Sequence, residues 1–501
     1  MIHSRGPHLT FSPKVFVLLL AVLMHPLTSP AQQVNTPYHG IRIVDEDSGR
    51  GVPLIELRTV NDLRYVTDNA GWVAVHEPGL MGREVWFSLG GPGYEKPKDG
   101  FGFTGVRVTL GAGQTTTVRM KRTNIAERLG RLTGQGMYNF SELLGLPTPL
   151  PNLNPAGVMG QDSVQAVPYR DGIFWLWGDT NVPHYPLGNY QTTSATTPRS
   201  TDPEKGIAFR YFMDKKEPQK IRRMMPLEGH GAVWLFGLLT VKDDSGAEVL
   251  LAHYGRHEGL APPVEQGIAR YDDEAGLFKS VAKLEKEEKW RGPRGHAVKA
   301  EDGWIYFASP LPHTRVRATL ADVTDASKYE ALRFNETEGV WEWQKNDAPT
   351  TQAAEQILLK QGKMKLEQSR FDLRDAAGGA PVTIHTGSVQ WNAWRKRWVL
   401  IGVQIGPKDG PSYLGEVWYA ESDAPDGPWG KAVKVASHPR YSYYNPIHHG
   451  FLDAEGGKVI YFEGTYTLQF SNNPIAPARY DYNQLMYRLD LGDGRLEAVK
   501  R

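Results

Sequence analysis

A recurring unit governs what this sequence can fold into. From residue 157 onward, a small or polar residue at a strand start, a turn holding glycine or aspartate, and an aromatic β segment return together five times. The instances occupy 160–180, 229–254, 293–310, 385–404 and 444–466. Self-similarity of this kind marks a repeat architecture. Each unit contains its own hairpin, so the pattern predicts a five-bladed β-propeller over 157–501 rather than one large two-sheet sandwich. Outer strands fit between the units, at 415–421 and 484–491. A long insertion separates the third and fourth units, and within it 353–370 (AAEQILLKQGKMKLEQSR) reads as a polar helix packed on the outside.

Ahead of the repeats, 38–121 carries short alternating segments at 40–44, 54–59, 72–75, 85–88, 106–110 and 115–120. Turn-forming clusters separate them, among them Thr67-Asp68-Asn69-Ala70-Gly71 and Gly90-Gly91-Pro92-Gly93. Strands at such spacing predict a small β-sandwich. The phrase GIRIVDEDSGRGVP…VTDNAGW resembles the carboxypeptidase-regulatory or transthyretin-like module, which implies a spacer or packing partner. Next, 124–146 shows a helical pattern, with Asn124 as N-cap and Ile125, Leu129, Leu132 and Met137 near one face. The proline-rich stretch 147–155 cannot extend a helix. The expected organisation is a sandwich at 38–121, a helix and Pro-rich linker at 122–156, and the propeller at 157–501, mainly β throughout.

The first residues read as an export signal, 1–31. Arg5 and Lys14 precede an apolar run of ten at 15–24, and Ser29-Pro30-Ala31 supplies small residues for cleavage near Ala31. Ten apolar residues are too few to span a bilayer, which needs roughly 20. The chain is therefore expected to be secreted or periplasmic, with no membrane span. It contains no cysteine, which excludes disulfides, thiolate metal sites and a cysteine nucleophile. A balance of 57 basic and 56 acidic residues lacks the basic footprint of a nucleic-acid binder.

In a propeller the first strand of each blade lines the central channel and its first residues open on one face. On that reading the mouth receives Asp162, His230, His296, His385 with Ser388, and Asn445 with His448 and His449. Asp162 begins an inner strand, and Asp179 ends the strand after the following hairpin. Antiparallel neighbours bring these two ends to the same edge, so both carboxylates reach one face. Glycoside hydrolysis needs such a pair, one acid for the leaving oxygen and one carboxylate as nucleophile or base. Either residue also has a structural explanation: Gly-Asp-Thr caps tight turns, and Asp162 can pair with a channel arginine such as Arg294. Trp177 and Trp234 lie where a sugar face can stack; Trp177 can equally be core, and core packing is the stronger reading for Trp234. Glu228, Glu258 and Glu463 are candidates for a further carboxylate. No HExxH, EF-hand or G-x-S-x-G pattern is present.

The segment Gly415-Glu416-Val417-Trp418-Tyr419-Ala420-Glu421-Ser422 with Asp426-Gly427-Pro428-Trp429 resembles the blade signature of five-bladed propeller glycosidases of the arabinanase and β-fructosidase type. Gln161-Asp162 followed by Gly178-Asp179-Thr180 resembles the bacterial endo-D-arabinanases, a family formerly catalogued as a domain of unknown function. The closing segment from Tyr444-Asn445-Pro446 to Tyr482-Asn483-Gln484 is similar to the same relatives. The resemblance implies Asp162 and Asp179 as the catalytic pair, acting on a polysaccharide or oligosaccharide. Trp177, His230, Arg294, His296, His385, Asn445, His448 and His449 are then substrate contacts, with Glu463 an additional carboxylate. It implies no required cofactor, and allows a structural cation in the channel. Two other functions fit the same residues: a propeller polysaccharide lyase using His and Tyr with Arg, and a non-catalytic glycan-binding propeller.

Overall fold

The computed structural model describes residues 36–189, 191–308, 310–406, 412–475 and 481–500. The expected signal segment lies outside them. Val34–Arg501 forms a single compact unit, and it is mainly β.

The N-terminal strands form two sheets. In one, His39–Asp45 is flanked by Trp72–Val75, antiparallel, and Thr115–Met120, parallel. The other runs Arg64–Val66, Glu56–Thr59, Glu84–Gly90, Gly105–Thr109, all antiparallel. Alternation sets the inner faces: Val85, Phe87 and Leu89 point inward and join Ile41, Ile43, Leu57 and Val73 in one core. The turn before Trp72 was legible, since Asp68 Oδ1 accepts the amides of Ala70 and Trp72, at 3.0 Å each. Gly71 closes it at φ +79°, where a Cβ would stand 2.4 Å from the Ile43 carbonyl oxygen.

Five sheets then follow one another along the chain. Their innermost strands are Gln165–Tyr169, Ala232–Lys242, His296–Lys299, Ile384–Asn392 and Ser442–His448, and each continues outward as antiparallel neighbours in chain order; the fourth sheet adds Arg374–Asp375, parallel, at its outer edge. Each of the first four contacts the innermost strand of the sheet that follows it. Gln165, Leu239, His296, Gln390 and His448, one from each, line a common cavity of about 280 Å³. The architecture is mainly β and agrees with the propeller class expected from the repeats. The fifth sheet is completed from the other end of the chain: Glu127–Arg131 pairs with Asn483–Asp490. That pairing ties sequence preceding the first sheet to the last one and covers an edge that would otherwise be open.

It also overturns the helix expected over 124–146. Glu127–Arg131 is a strand buried on both faces, and the helix is confined to Asn139–Leu143. The apolar spacing that suggested a helical face instead feeds two cores: Ile125 packs with Tyr443 and Leu485, while Leu129 and Leu132 pack with Trp175 and Met486. Gly134 and Gly136, at φ +94° and +61°, break any helix between the two elements. The insertion helix is shorter than expected, Gln352–Lys360, capped by Thr351 Oγ1 on the Ala354 amide. Its Glu355 is fully buried and accepts from Ser369 Oγ at 2.6 Å and the Arg370 amide at 2.8 Å, which pins the loop beyond it.

Candidate active site

Asp162 and Asp179 meet. The two-residue strand Gly160–Gln161 pairs with Thr180–Val182, and Gly178 N–H donates to the Asp162 carbonyl at 2.9 Å. The Asp179 amide then donates to Asp162 Oδ1 at 3.0 Å. Gly178 is required between them, because a Cβ there would lie 2.4 Å from Asp162 Oδ1. On the far side, Trp234 Nε1 donates to Asp179 Oδ1 at 2.9 Å. Hydroxyls of Tyr482 and Ser163 donate to Asp162.

These surroundings set the charges. Burial, then the neighbouring Asp179 carboxylate, pushes the Asp162 pKa up to about 7 against those hydrogen bonds. Burial also raises Asp179, opposed by the indole N–H of Trp234. The Asp179 charge acts on Asp162, so the two partly buried carboxyls titrate as a pair. Three non-glycine residues with left-handed backbone surround them: Ser163 (φ 51°), Asn445 (φ 48°) and Tyr482 (φ 62°). Such conformations cost of order 1–3 kcal/mol each and persist where the surroundings hold them. Here Asn445 Nδ2 donates to Ser163 Oγ at 2.7 Å, linking the fifth sheet to the first beside Asp162.

Two walls extend from the pair. On one, the Trp234 ring lies 4.7 Å from the His257 ring. His257 Nδ1 contacts the Ala261 carbonyl oxygen at 2.8 Å and must be its donor, which leaves Nε2 to accept from Arg294 Nη2 at 3.0 Å. On the other wall stands Tyr444, whose ring is 5.9 Å from His385 and 4.9 Å from the half-exposed Phe470. Its phenol is raised by burial and by the charges of Asp162 and Asp179.

The remaining sequence candidates separate into those near the mouth and those away from it. His230 is exposed, before the strand Ala232–Lys242, with its carbonyl accepting from Arg256 at 2.7 Å. Glu228 and Glu258 are exposed at the same end of that sheet. Arg294 bonds His257 rather than Asp162, so the expected structural pairing is not made. His296 lines the channel cavity and is held neutral, its pKa lowered to about 3 by burial. Trp177 is fully buried (0 %), stacked 6.4 Å from Trp175, and offers no face to a sugar. His448 and His449 end the strand Ser442–His448 rather than begin it, which carries them away from Asp162. His448 Nε2 meets Asp453 at 2.8 Å, and His449 Nε2 meets Glu463 Oε1 at 2.7 Å. Burial lowers His449 and raises Glu463 well above its ordinary range, which favours a hydrogen bond between neutral groups in the core. Sequence reasoning did not single out His257 or the role of Tyr482; both reach the site through chain geometry that no local motif announces.

Among the described residues no cluster of three or more His, Asp or Glu is placed to hold a metal ion, and no helix is long and apolar enough to cross a membrane.

No family model and no curated protein matches the chain. Solved structures align at low identity. The GH43_1 enzyme from Xanthomonas citri complexed with xylose is 9% identical over 68% of this chain and 89% of its own, with a TM-score of 0.35. An exo-1,5-alpha-L-arabinanase from a bovine ruminal metagenomic library is 10% identical over 66% and 93%, at 0.34. An N-acetylgalactosamine deacetylase from F. plautii is 8% identical over 75% and 98%, at 0.35. Likeness at this level leaves the chemistry to be argued from the site.

Proposed function

We propose that this chain is an exported glycoside hydrolase, a five-bladed propeller behind a transthyretin-like sandwich at 38–121, that cleaves a polysaccharide or oligosaccharide between Asp162 and Asp179. One observation carries the reading: two carboxyls from the two ends of one hairpin meet, both with raised pKa and joined through the Asp179 amide. Asp162, protonated up to about pH 7, is the proton donor to the leaving glycosidic oxygen. Asp179, whose carboxylate the Trp234 N–H favours, is the nucleophile or the base that activates water. Tyr444, Asn445, His385 and Arg294 border the cleft as sugar contacts.

The lyase reading draws on the nearness of Tyr444, His385 and Arg294, a base-and-cation set suited to β-elimination. A panel of polysaccharides offered to the purified protein separates the readings. New reducing ends without ultraviolet absorbance support the hydrolase. Unsaturated, absorbing products support the lyase, and binding without turnover supports a glycan-binding propeller.

A further inference from the structure

Arg294 is a partly desolvated cation that keeps a solvent-facing side, on the wall beside the carboxylate pair, and no carboxylate among the described residues neutralises it. Its guanidinium lies over the Phe236 ring, 5.1 Å from the centroid, and Nη2 donates to His257 Nε2. The His257 tautomer is fixed by the Ala261 carbonyl, so this acceptor is neutral and supplies orientation without charge. Among the described residues Arg294 makes no ion pair, although its neighbour Arg256 pairs with Glu265. Its surroundings desolvate it, with only the Tyr444 phenol opposing. A guanidinium held over an aromatic face, with one N–H used and the rest of its fork open, is organised to receive an oxyanion in bidentate fashion. The chain Arg294–His257–Trp234–Asp179 places that fork along the wall leading to the reacting carboxylates.

We infer that the glycan is acidic, and that Arg294 is a specificity-determining residue that receives a carboxylate or sulfate borne by a sugar next to the one being cleaved. The inference rests on the site proposed above, and deepens it by naming the substrate class. Recognition by a fixed fork differs from attraction by diffuse charge, since Lys cannot reproduce it.

The test pairs acidic oligosaccharides with neutral counterparts of the same chain. Hexuronate oligomers are compared with their carboxyl-reduced forms, and sulfated oligosaccharides with their desulfated forms. Binding is measured by calorimetry on the Asp179→Asn protein and turnover on the wild type. Binding is expected to weaken roughly 10- to 100-fold when the anion is removed, the worth of a charge-assisted hydrogen bond. Arg294→Gln should remove the preference for the acidic ligand over its neutral counterpart, whatever smaller loss both share, and Arg294→Lys should recover only part of that preference. Whichever pair shows the effect identifies carboxylate or sulfate. Equal binding of charged and neutral forms by the wild type, or an Arg294→Gln loss of equal size on both, overturns the inference. Turnover of neutral glycans without charge preference would leave the hydrolase standing and remove the acidic substrate. Charge-selective, Arg294-dependent binding with no turnover would do the reverse.

Discussion

Asp162 and Asp179 could be proposed from sequence because strand polarity alone brings a strand start and the end of its hairpin partner to one edge. Their charge state could not, since it depends on Tyr482, Ser163 and Trp234, which arrive from other parts of the chain. It has a measurable consequence for stability. A carboxyl whose folded pKa is raised contributes stability that is present below its unfolded pKa, about 4, and is lost as pH rises through the folded value, about 7. Replacing Asp162 by Asn removes that penalty. The melting-temperature difference between Asp162→Asn and wild type should therefore move in favour of the variant as pH rises from about 4 to about 8. Three pKa units bound the effect at ~4 kcal/mol. A difference independent of pH would show that Asp162 titrates normally. Trp234→Phe tests the other half of the pair. Losing the indole N–H should move the acid limb of the pH–rate profile upward and lower turnover about tenfold, a hydrogen bond to a charged group being worth about 1.5–3 kcal/mol. A folded Trp234→Phe protein with an unshifted profile would count against ionised Asp179.

At the scale of elements, local turn chemistry and two-residue alternation were the legible features, which is why the sandwich strands fall close to their expected positions. Pairing between distant segments was not. The strand Glu127–Arg131 is specified by Asn483–Asp490 at the opposite end of the chain, and no local propensity encodes that partnership. The histidines show the same limit. Recurrence placed His448 and His449 at the mouth, but their strand begins at Ser442, and six residues of rise carry them down the channel. Glu463→Gln should therefore leave activity within a factor of about two, with a stability loss of about 1 kcal/mol for a perturbed buried hydrogen bond. A large rate loss in folded Glu463→Gln protein would return Glu463 to the catalytic set. In the hairpin that carries Asp162 and Asp179 the tight element is the turn at Gly178. Gly178→Ala drives a methyl into Asp162 Oδ1 and should cost ~1–3 kcal/mol of stability together with more than tenfold in rate, read by melting and kinetics on one sample.

For the molecule as a whole, the sandwich and the five sheets pack as one unit. Arg122 pairs with Asp45 at 2.9 Å, Ser48 Oγ donates to Glu127 at 2.5 Å, and Asn69 clasps the Arg131 backbone with both ends of its amide. Two of these contacts hold Glu127–Arg131, the strand that completes the fifth sheet. A chain beginning at Asn124 keeps that strand and all the cleft residues, so it should retain turnover while melting earlier. Loss of turnover in a folded chain of that length would bring the sandwich into the site.

The claim on which the rest depends is that Asp179 reacts rather than merely shapes a turn. Turnover and a melting curve for Asp179→Asn, on whichever glycan the wild type cleaves, test it most directly. Amide replaces carboxylate at nearly constant shape, and its oxygen still accepts from Trp234. The account predicts a protein that melts at or above the wild-type temperature near neutral pH and turns over ~10²–10⁴-fold more slowly. A folded Asp179→Asn protein with wild-type turnover would contradict it, as would one that melts early while its folded fraction keeps the normal rate.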